Sequence, residues 1–225
     1  MKSKIFVVDI ETTPIEAYIW KTGEQHISID QIKKDWELAA FGAKEFLKPA
    51  NQVVYQDRRV DKGELPLLKT AWKILDEADI LITQYGSGFD VPKLMAKFIE
   101  YRLGKPSAFV HYDTQVLAQK AAAFTSTKLS YLTALLNSKY KKLSHNKFPG
   151  LTLWIECLNG NKEAWEEMEK YNVQDVLSTE ELVSHLKEYA PKIFPNLDAE
   201  VCGGCKKLKV VRVKCSECAR WETKK

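Results

Sequence analysis

The fold depends on the stretch KIFVVDIETT, which occupies residues 4–13. Between Ile5 and Ile10 only Asp9 is polar, and most of the apolar residues are β-branched. A nearly continuous apolar run of this kind is typical of a strand that is buried on both faces. Polar residues follow it and lead to Pro14. We therefore expect a central strand that ends in a loop.

An acidic pair, Asp9 and Glu11, lies at the end of this strand, and a spacing of two residues directs both side chains to one face. Two neighbouring carboxylates repel each other, which raises a pKa unless a cation lies between them. Mg²⁺ and Mn²⁺ prefer such oxygen ligands. An isolated Asp-x-Glu pair is usually a solvated surface pair, but the position of this pair after an apolar run favours a metal site.

Composition indicates an ordinary folded protein. The chain has 225 residues, of which 45% are hydrophobic and 11% aromatic, enough for one sizeable domain with or without a small appendage. This composition excludes a disordered chain. No apolar stretch approaches the roughly 18 residues of a membrane span, and the first residues do not resemble a signal peptide. We therefore expect a soluble, cytoplasmic protein without a membrane partner.

The order of the remaining elements predicts the fold class. Strand-like runs, then strands alternating with helices, and finally helices indicate a three-layer α/β domain with a mixed sheet. Residues 15–36 and the basic stretch 139–147 are expected to be irregular. The expected strands cover 38–46, 52–55, 79–85 and 108–112, and the expected helices cover 62–77, 92–103, 128–136 and 163–189. The domains are then 1–190, a linker 191–201 and a tail 202–225.

Further acidic residues follow at separate points of the chain. Asp90 comes shortly after the strand at 79–85, where it could bind a metal, cap the next helix, or do both. Tyr171 and Asp175 are four residues apart on the long helix and share a face, although an ordinary surface pair has the same spacing. Four carboxylates can bind two Mg²⁺ or Mn²⁺ ions for an in-line phosphoryl transfer, and the Tyr171 hydroxyl could orient the water.

Three segments resemble the exonuclease motifs of the DEDD superfamily: 7–13 (VVDIETT), 89–92 (FDVP) and 171–175 (YNVQD). The Tyr-x3-Asp form of the third segment is similar to the DEDDy branch, which includes proofreading domains of DNA polymerases and stand-alone exonucleases. The resemblance covers residues 4–187. It implies a ribonuclease H-like fold with a five-stranded mixed sheet, and removal of nucleotides from a 3′ end.

The resemblance also assigns roles to residues. Asp9 would bridge both metal ions, Glu11 and Asp175 would bind the ion on the nucleophile side, Asp90 would bind the other, and Tyr171 would position the water. Substrate contacts are implied for Thr12, Thr13 and Phe89. The chain departs from the family at 84–86, where it has Gln-Tyr-Gly and relatives often have His-Asn-Gly. This puts contacts to the terminal nucleotide in doubt.

The tail carries a second motif, composed of Cys202-x2-Cys205 and Cys215-x2-Cys218. In an intracellular protein this spacing indicates one structural Zn²⁺ held by four thiolates, as in a zinc ribbon. Residues 202–225 hold eight Lys or Arg and two Glu, whereas residues 1–201 carry a net charge of −2. The tail could therefore bind nucleic acid or dock a protein partner. Cys157 is expected to be a small core residue.

The sequence thus predicts a 3′-to-5′ exonuclease that uses two metal ions on single-stranded or frayed DNA. An exoribonuclease is an alternative, because nothing in the sequence distinguishes a ribose from a deoxyribose. A third possibility is a non-catalytic nucleic-acid-binding protein in which the tail is the functional part. The presence of all four acids and of the tyrosine argues against that possibility.

Overall fold

The computed structural model describes residues 3–61, 63–144 and 147–189, and the backbone of 212–214 and 221–223. A five-stranded sheet forms its centre, and a two-stranded hairpin is inserted after the first strand. The strands of these two sheets are β1 (Ile5–Thr12), β2 (Glu16–Ala17), β3 (Ile32–Lys34), β4 (Leu38–Glu45), β5 (Val54–Asp57), β6 (Ile80–Thr83) and β7 (Val110–Asp113).

The central sheet is mixed, as the sequence predicts. Its order is β5-β4-β1-β6-β7. Strand β4 runs antiparallel to β1 and to β5, whereas β6 and β7 run parallel to β1. The small sheet pairs β2 with β3. The helices are α1 (Arg58–Asp61), α2 (Leu65–Glu77), α3 (Asp90–Glu100), α4 (Thr114–Ala121), α5 (Leu129–Leu135), α6 (Thr152–Leu158) and α7 (Lys162–Leu186).

The alternation of β1 separates the two faces of the sheet. Val7 faces a cluster formed with α4, α5 and α7, and Val8 and Ile10 face a cluster formed with α2 and α3. Because Asp9 and Glu11 have the same parity as Val7, they point toward the face that α7 covers. The three-layer α/β prediction is confirmed, and β1 is the central strand that the opening stretch predicts.

Two segments differ from the prediction. Residues 15–36 are not irregular, since they contain β2, β3 and a short 3₁₀ turn at Ile29–Gln31. Polar and apolar residues do not alternate regularly there, so no strand period is visible. Helix α6 was also not predicted, because its seven residues follow a proline-glycine turn and are too few to show a helical period.

The tail contains one described feature. The backbone strands β8 (Arg212–Lys214) and β9 (Trp221–Thr223) pair antiparallel, with Lys214 opposite Trp221. The second Cys-x2-Cys pair lies in sequence between these strands. The four cysteines themselves, and the linker 191–201, lie outside the described residues.

Candidate active site

The first two carboxylates of the site come from the end of β1. Asp9 pairs with Gly42 of β4, and Glu11 pairs with Ala40. The register shifts between Glu11 and Thr12, so the strand is irregular immediately after the second acid. Both side chains are partly exposed at this edge. The acidic pair therefore lies at the C-terminal end of the central strand β1, beneath α7.

Asp90 approaches the same strand from the opposite side of the sheet. It is buried, and its Oδ1 accepts a hydrogen bond of 3.0 Å from the backbone amide of Ile10. The residue before the helix, Phe89, occupies the N-cap position, and Asp90 is the first helical residue. The alternative that Asp90 caps its helix is thus wrong, because its carboxylate is directed across to β1 instead.

The middle of α7 supplies the third part of the site. Oxygen atoms of Asp9, Glu11 and Asp175 all lie within 4.8 Å of one another. Between Tyr171 and Asp175, Asn172 donates hydrogen bonds to Asp9 through Nδ2, at 2.8 Å to Oδ2 and 3.3 Å to the backbone oxygen. The spacing of three and four residues along one helix face brings Tyr171, Asn172 and Asp175 to the carboxylate pair.

Gly42 makes this approach of α7 possible. A Cβ built on Gly42 would lie 2.1 Å from Asn172 Oδ1 and 3.1 Å from Val176 Cγ2. Contacts below 3.0 Å do not occur with real Cβ atoms, so any other residue at position 42 would displace the Asn172 side chain. The glycine in β4 therefore leaves the space that the Asn172 side chain needs to reach Asp9.

A lysine from the basic loop completes the cluster. Lys142 forms an ion pair with Asp175, and its Nζ lies 4.3 Å from the centroid of the Tyr171 ring. Burial alone would lower the pKa of Lys142, but Asp175 and the Tyr171 hydroxyl raise it. Lys142 acts on the three carboxylates of Asp9, Glu11 and Asp175, so a net negative charge is left if all three are ionised.

The pKa values of the acids reflect this imbalance. Burial and the charge of Asp175 raise the pKa of Glu11 to about 8, and burial raises the pKa of Asp90 to about 7 despite the amide of Ile10. Burial, with the charges of Asp175, Asp90 and Glu11, holds the pKa of Asp9 well above its usual range. A cation between these groups would lower their pKa values, because it favours the charged form of each carboxylate.

Comparison with known proteins agrees with this geometry. The model of the RNase_H superfamily matches residues 6–187, which is most of the chain. The chain belongs to the RNase_H superfamily. The fold is also similar to the structure of the family B DNA polymerase from the hyperthermophilic archaeon Pyrobaculum calidifontis, with a TM-score of 0.59 and 12% identity over 87% of this chain. The chain spans 26% of that polymerase. No curated protein matches by sequence.

Membership in the RNase_H superfamily, together with the cluster of Asp9, Glu11 and Asp175, indicates a metal-dependent nuclease. The donor set fits the metal. Three carboxylate oxygens lie close enough to share one ion, and oxygen ligands suit Mg²⁺ or Mn²⁺. Lys142 already offers one positive charge to Asp175 in the same cluster.

A groove of about 320 Å³ opens beside Glu11. It brings together the three residues for which substrate contacts were expected, Thr12, Thr13 and Phe89, and its other lining residues are Pro14, Leu151 and Trp154. Trp154 donates a hydrogen bond to Glu11 and packs edge-on against Tyr171 at 6.2 Å between ring centroids. Trp154 thus contacts both Glu11 and Tyr171 while it lines the groove.

The loop at 84–86, where the sequence departs from its relatives, has an unusual backbone. Tyr85 is in the left-handed region, with φ at 62°, which Asn and Gly tolerate better than Tyr. Asp113 holds the loop by accepting bonds of 2.9 Å from the amides of Tyr85 and Ser87. The ring of Tyr85 lies over Gly88, where a Cβ would be 2.8 Å from it. Asp113 also caps α4 through the amide of Gln115.

Three residues of this site were not identified from the sequence. Asn172 could have been, because it lies within the third motif and three residues before Asp175 on the same helix. Lys142 was only one lysine in a basic loop, and no periodicity distinguishes it. Trp154 belongs to α6, which was not predicted.

Two further expectations concern residues outside the site. Cys157 is a buried free cysteine that packs with Trp165 and Met168, and burial raises the pKa of its thiol to about 12; it is the small core residue expected. Within the part of the chain that the structure describes, no helix is both long and apolar enough to cross a membrane.

Proposed function

We propose that the chain is a 3′-to-5′ exonuclease that removes nucleotides from single-stranded or frayed DNA. The observation that carries this proposal is the convergence of four carboxylates from β1, α3 and α7 beside one tyrosine. Two of the acids come from a strand, one from the start of a helix and one from the middle of another. The stability of the fold does not explain why so many acids gather around one lysine at the end of β1.

Asp9, Glu11 and Asp175 would hold one divalent cation, and Asp9 with Asp90 would hold a second. When bound, such cations supply an activated water and stabilise the charge that develops on a transferring phosphoryl group. Asn172 fixes the orientation of Asp9, and the Trp154 indole fixes Glu11. These outer contacts matter because ligand orientation commonly accounts for a 10- to 100-fold change in metal affinity or activity.

Tyr171 is suited to orient water and not to remove its proton. Burial raises the pKa of its hydroxyl to about 12, so the group stays neutral and can both donate and accept a hydrogen bond. The Lys142 ammonium lies beside it and would stabilise negative charge that develops on a transferring phosphoryl group. Trp154 holds the Tyr171 ring from the other side.

The groove beside Glu11 is the proposed site of the terminal nucleotide. Phe89 and Trp154 offer aromatic faces, and Thr12 and Thr13 offer hydroxyl groups. The similarity to a DNA polymerase favours DNA as the substrate. An exoribonuclease is the second candidate.

The tail would bind one Zn²⁺ through Cys202, Cys205, Cys215 and Cys218, and its basic residues would strengthen the grip on nucleic acid. The pairing of β8 with β9 on either side of the second cysteine pair supports a hairpin of this kind. Metal analysis of the purified protein should give one zinc per chain, and none after all four cysteines are changed to serine. Docking of a protein partner is the competing role.

The decisive experiment uses single-stranded DNA and RNA of the same sequence, labelled at the 5′ or the 3′ end, with Mg²⁺, Mn²⁺ or EDTA. We expect a ladder that shortens from the 3′ end and requires metal, and no ladder with Asp9→Ala. Glu166→Ala, on the exposed side of α7, is the matched control and should keep full activity. Shortening of RNA alone would select the exoribonuclease. Binding without any cleavage would select the non-catalytic alternative.

A further inference from the structure

The hairpin inserted after the active-site strand carries the most exposed large hydrophobic side chain among the described residues. Trp20 is 97% exposed, and its neighbours Tyr18 and Ile19 are 68% and 51% exposed. Leaving two aromatic rings in water forgoes the burial that normally stabilises such residues. Isolated exposed apolar residues need no explanation, but consecutive ones form a patch that marks a contact surface. We call Tyr18, Ile19 and Trp20 the aromatic tip.

The segment that carries the tip is held in place by polar contacts. The amide of Tyr18 donates to Gln31 O at 2.9 Å, and Gln31 Nε2 donates back to Tyr18 O at 2.9 Å. The turn beyond the tip is closed by Gln25 Nε2, which donates to Lys21 O at 2.6 Å. Gly23, at φ 96°, supplies the left-handed residue of that turn. The backbone on both sides of the tip is therefore held in place, which lowers the entropic cost of binding a partner.

The hairpin begins where the proposed nucleotide groove ends. Thr13 and Pro14 line the groove, and Thr13 exchanges two hydrogen bonds with Glu37, at 2.8 and 2.9 Å. Glu11 and Trp20 are nine positions apart in the chain, so at most roughly 30 Å separates them. A nucleic-acid strand stacked at about 3.4 Å per nucleotide covers this maximum distance in roughly nine nucleotides.

We propose that the aromatic tip stacks on bases of a single strand whose 3′ end lies in the groove. The inference rests on the proposed function and adds a second contact, several nucleotides from the cleavage site. Stacking is tolerant of sequence because every base has an aromatic face. We favour a nucleic acid over a protein partner because the segment that carries the tip continues directly from Thr13 and Pro14, which line the groove.

Charge predicts how this contact should behave. Residues 15–36 contain three lysines and four acidic residues, so the tip carries no excess of positive charge. Binding through the tip should therefore depend little on salt, unlike contacts between lysine or arginine and phosphate. The salt dependence of binding therefore distinguishes contacts made by the tip from contacts made by the basic tail.

The test measures binding in EDTA, so that cleavage is not needed, with fluorescent dT12, U12 and dT2 and the full chain. Trp20→Ala should weaken dT12 binding roughly 5- to 100-fold, equally at low and high salt, and leave dT2 binding unchanged. Trp20→Phe should retain most of the affinity, and Tyr189→Ala, which removes another exposed aromatic, should retain all of it. The Trp20 fluorescence, taken as wild type minus Trp20→Phe, should fall when dT12 is added. Equal effects of Trp20→Ala on the binding of dT12 and of U12 would indicate that the tip contacts the bases of DNA and RNA alike.

Unchanged dT12 affinity in Trp20→Ala would overturn the inference, and so would a change in oligomeric state in place of a change in affinity. An effect that disappears at high salt would overturn it as well, because it would indicate phosphate contacts. If the wild type binds dT12 through Trp20 but never shortens it with Mg²⁺, the tip stands and the nuclease proposal fails. If the wild type degrades DNA and Trp20→Ala binds equally well, only the tip fails.

Discussion

Glu64 and Asp9 are both carboxylates held among packed side chains, yet different groups balance their charges. Glu64 forms an ion pair of 3.0 Å with the buried Lys97, and it accepts the backbone amide of Leu38. Asp9 has the Asn172 amide for a partner and three other acids for neighbours. Residues of the chain neutralise the charge of Glu64. The negative charge around Asp9 requires an external cation for its neutralisation.

This difference separates a structural carboxylate from a functional one more clearly than burial does. Removing a group whose charge is matched leaves its partner buried and unpaired. Removing one of several crowded acids relieves repulsion and costs only the ligand that it provides. The two sites should therefore respond in opposite ways to substitution, one in stability and the other in activity.

The largest effect is expected from Asp9→Asn. Loss of one carboxylate ligand should lower the rate of nucleotide release by about a thousandfold or more, since stabilisation by metal is worth several kcal/mol. The melting temperature of the metal-free protein at pH 8 should stay the same or rise, because a like charge is removed. Calorimetry and the labelled-strand assay on one preparation test both parts. A folded variant with near wild-type activity would refute the assignment of Asp9.

Glu64→Ala should have the opposite profile. Breaking the buried pair with Lys97 should lower the free energy of unfolding by about 3–5 kcal/mol, measured by urea denaturation, while the folded fraction keeps wild-type activity. The double variant Glu64→Leu with Lys97→Met should recover part of this loss, because neither charge is then buried alone. A loss of activity in folded Glu64→Ala protein would contradict the distinction between the two sites.

Gly42→Ala tests the contact that orients Asp9. The added Cβ should displace Asn172 and lower activity roughly 10- to 100-fold, with a smaller effect on stability. Asn172→Ala makes room for the methyl group, so Gly42→Ala should add little to that variant. Independent, multiplying losses in the double variant would show that Gly42 acts by another route.

The smallest effect is a dependence of stability on pH. The pKa values of Glu11 and Asp90 are raised from 4.5 and 3.8 to about 8 and about 7, so the folded metal-free protein holds these protons more tightly than the unfolded chain does. Their contribution to stability is complete below about pH 4 and is lost as the pH rises through 7 and 8.

We therefore expect the melting temperature in EDTA to fall between pH 5 and pH 8.5. Addition of Mg²⁺ should restore it most at the higher pH, where no protons compete with the ion. Glu11→Gln should flatten the curve, and Glu166→Gln should leave it unchanged. The same slope in Glu11→Gln would assign the pH dependence to other groups.

Much of the fold and of the site could be predicted because the relevant residues follow a period. The apolar run of β1 and the spacing from Tyr171 to Asp175 are local patterns. They place Asp9 and Glu11 on one face of β1, and Asp175 on the face of α7 that packs against it. Lys142 could not be predicted, because its position is set by tertiary packing of a loop. The hairpin of β2 and β3 was missed for a related reason: exposed apolar residues erase the alternation that identifies a strand.

The position of Asp175 on α7 also determines when the carboxylate cluster first exists. During synthesis, β1 leaves the ribosome before α7, which is the last described helix of the domain to emerge, some 160 residues after Asp9. A nascent chain that ends before α7 contains Asp9 and Glu11 but has neither Asp175 nor the amide of Asn172. The cluster is thus assembled only by a complete domain, so that a truncated translation product carries the acidic pair without the site.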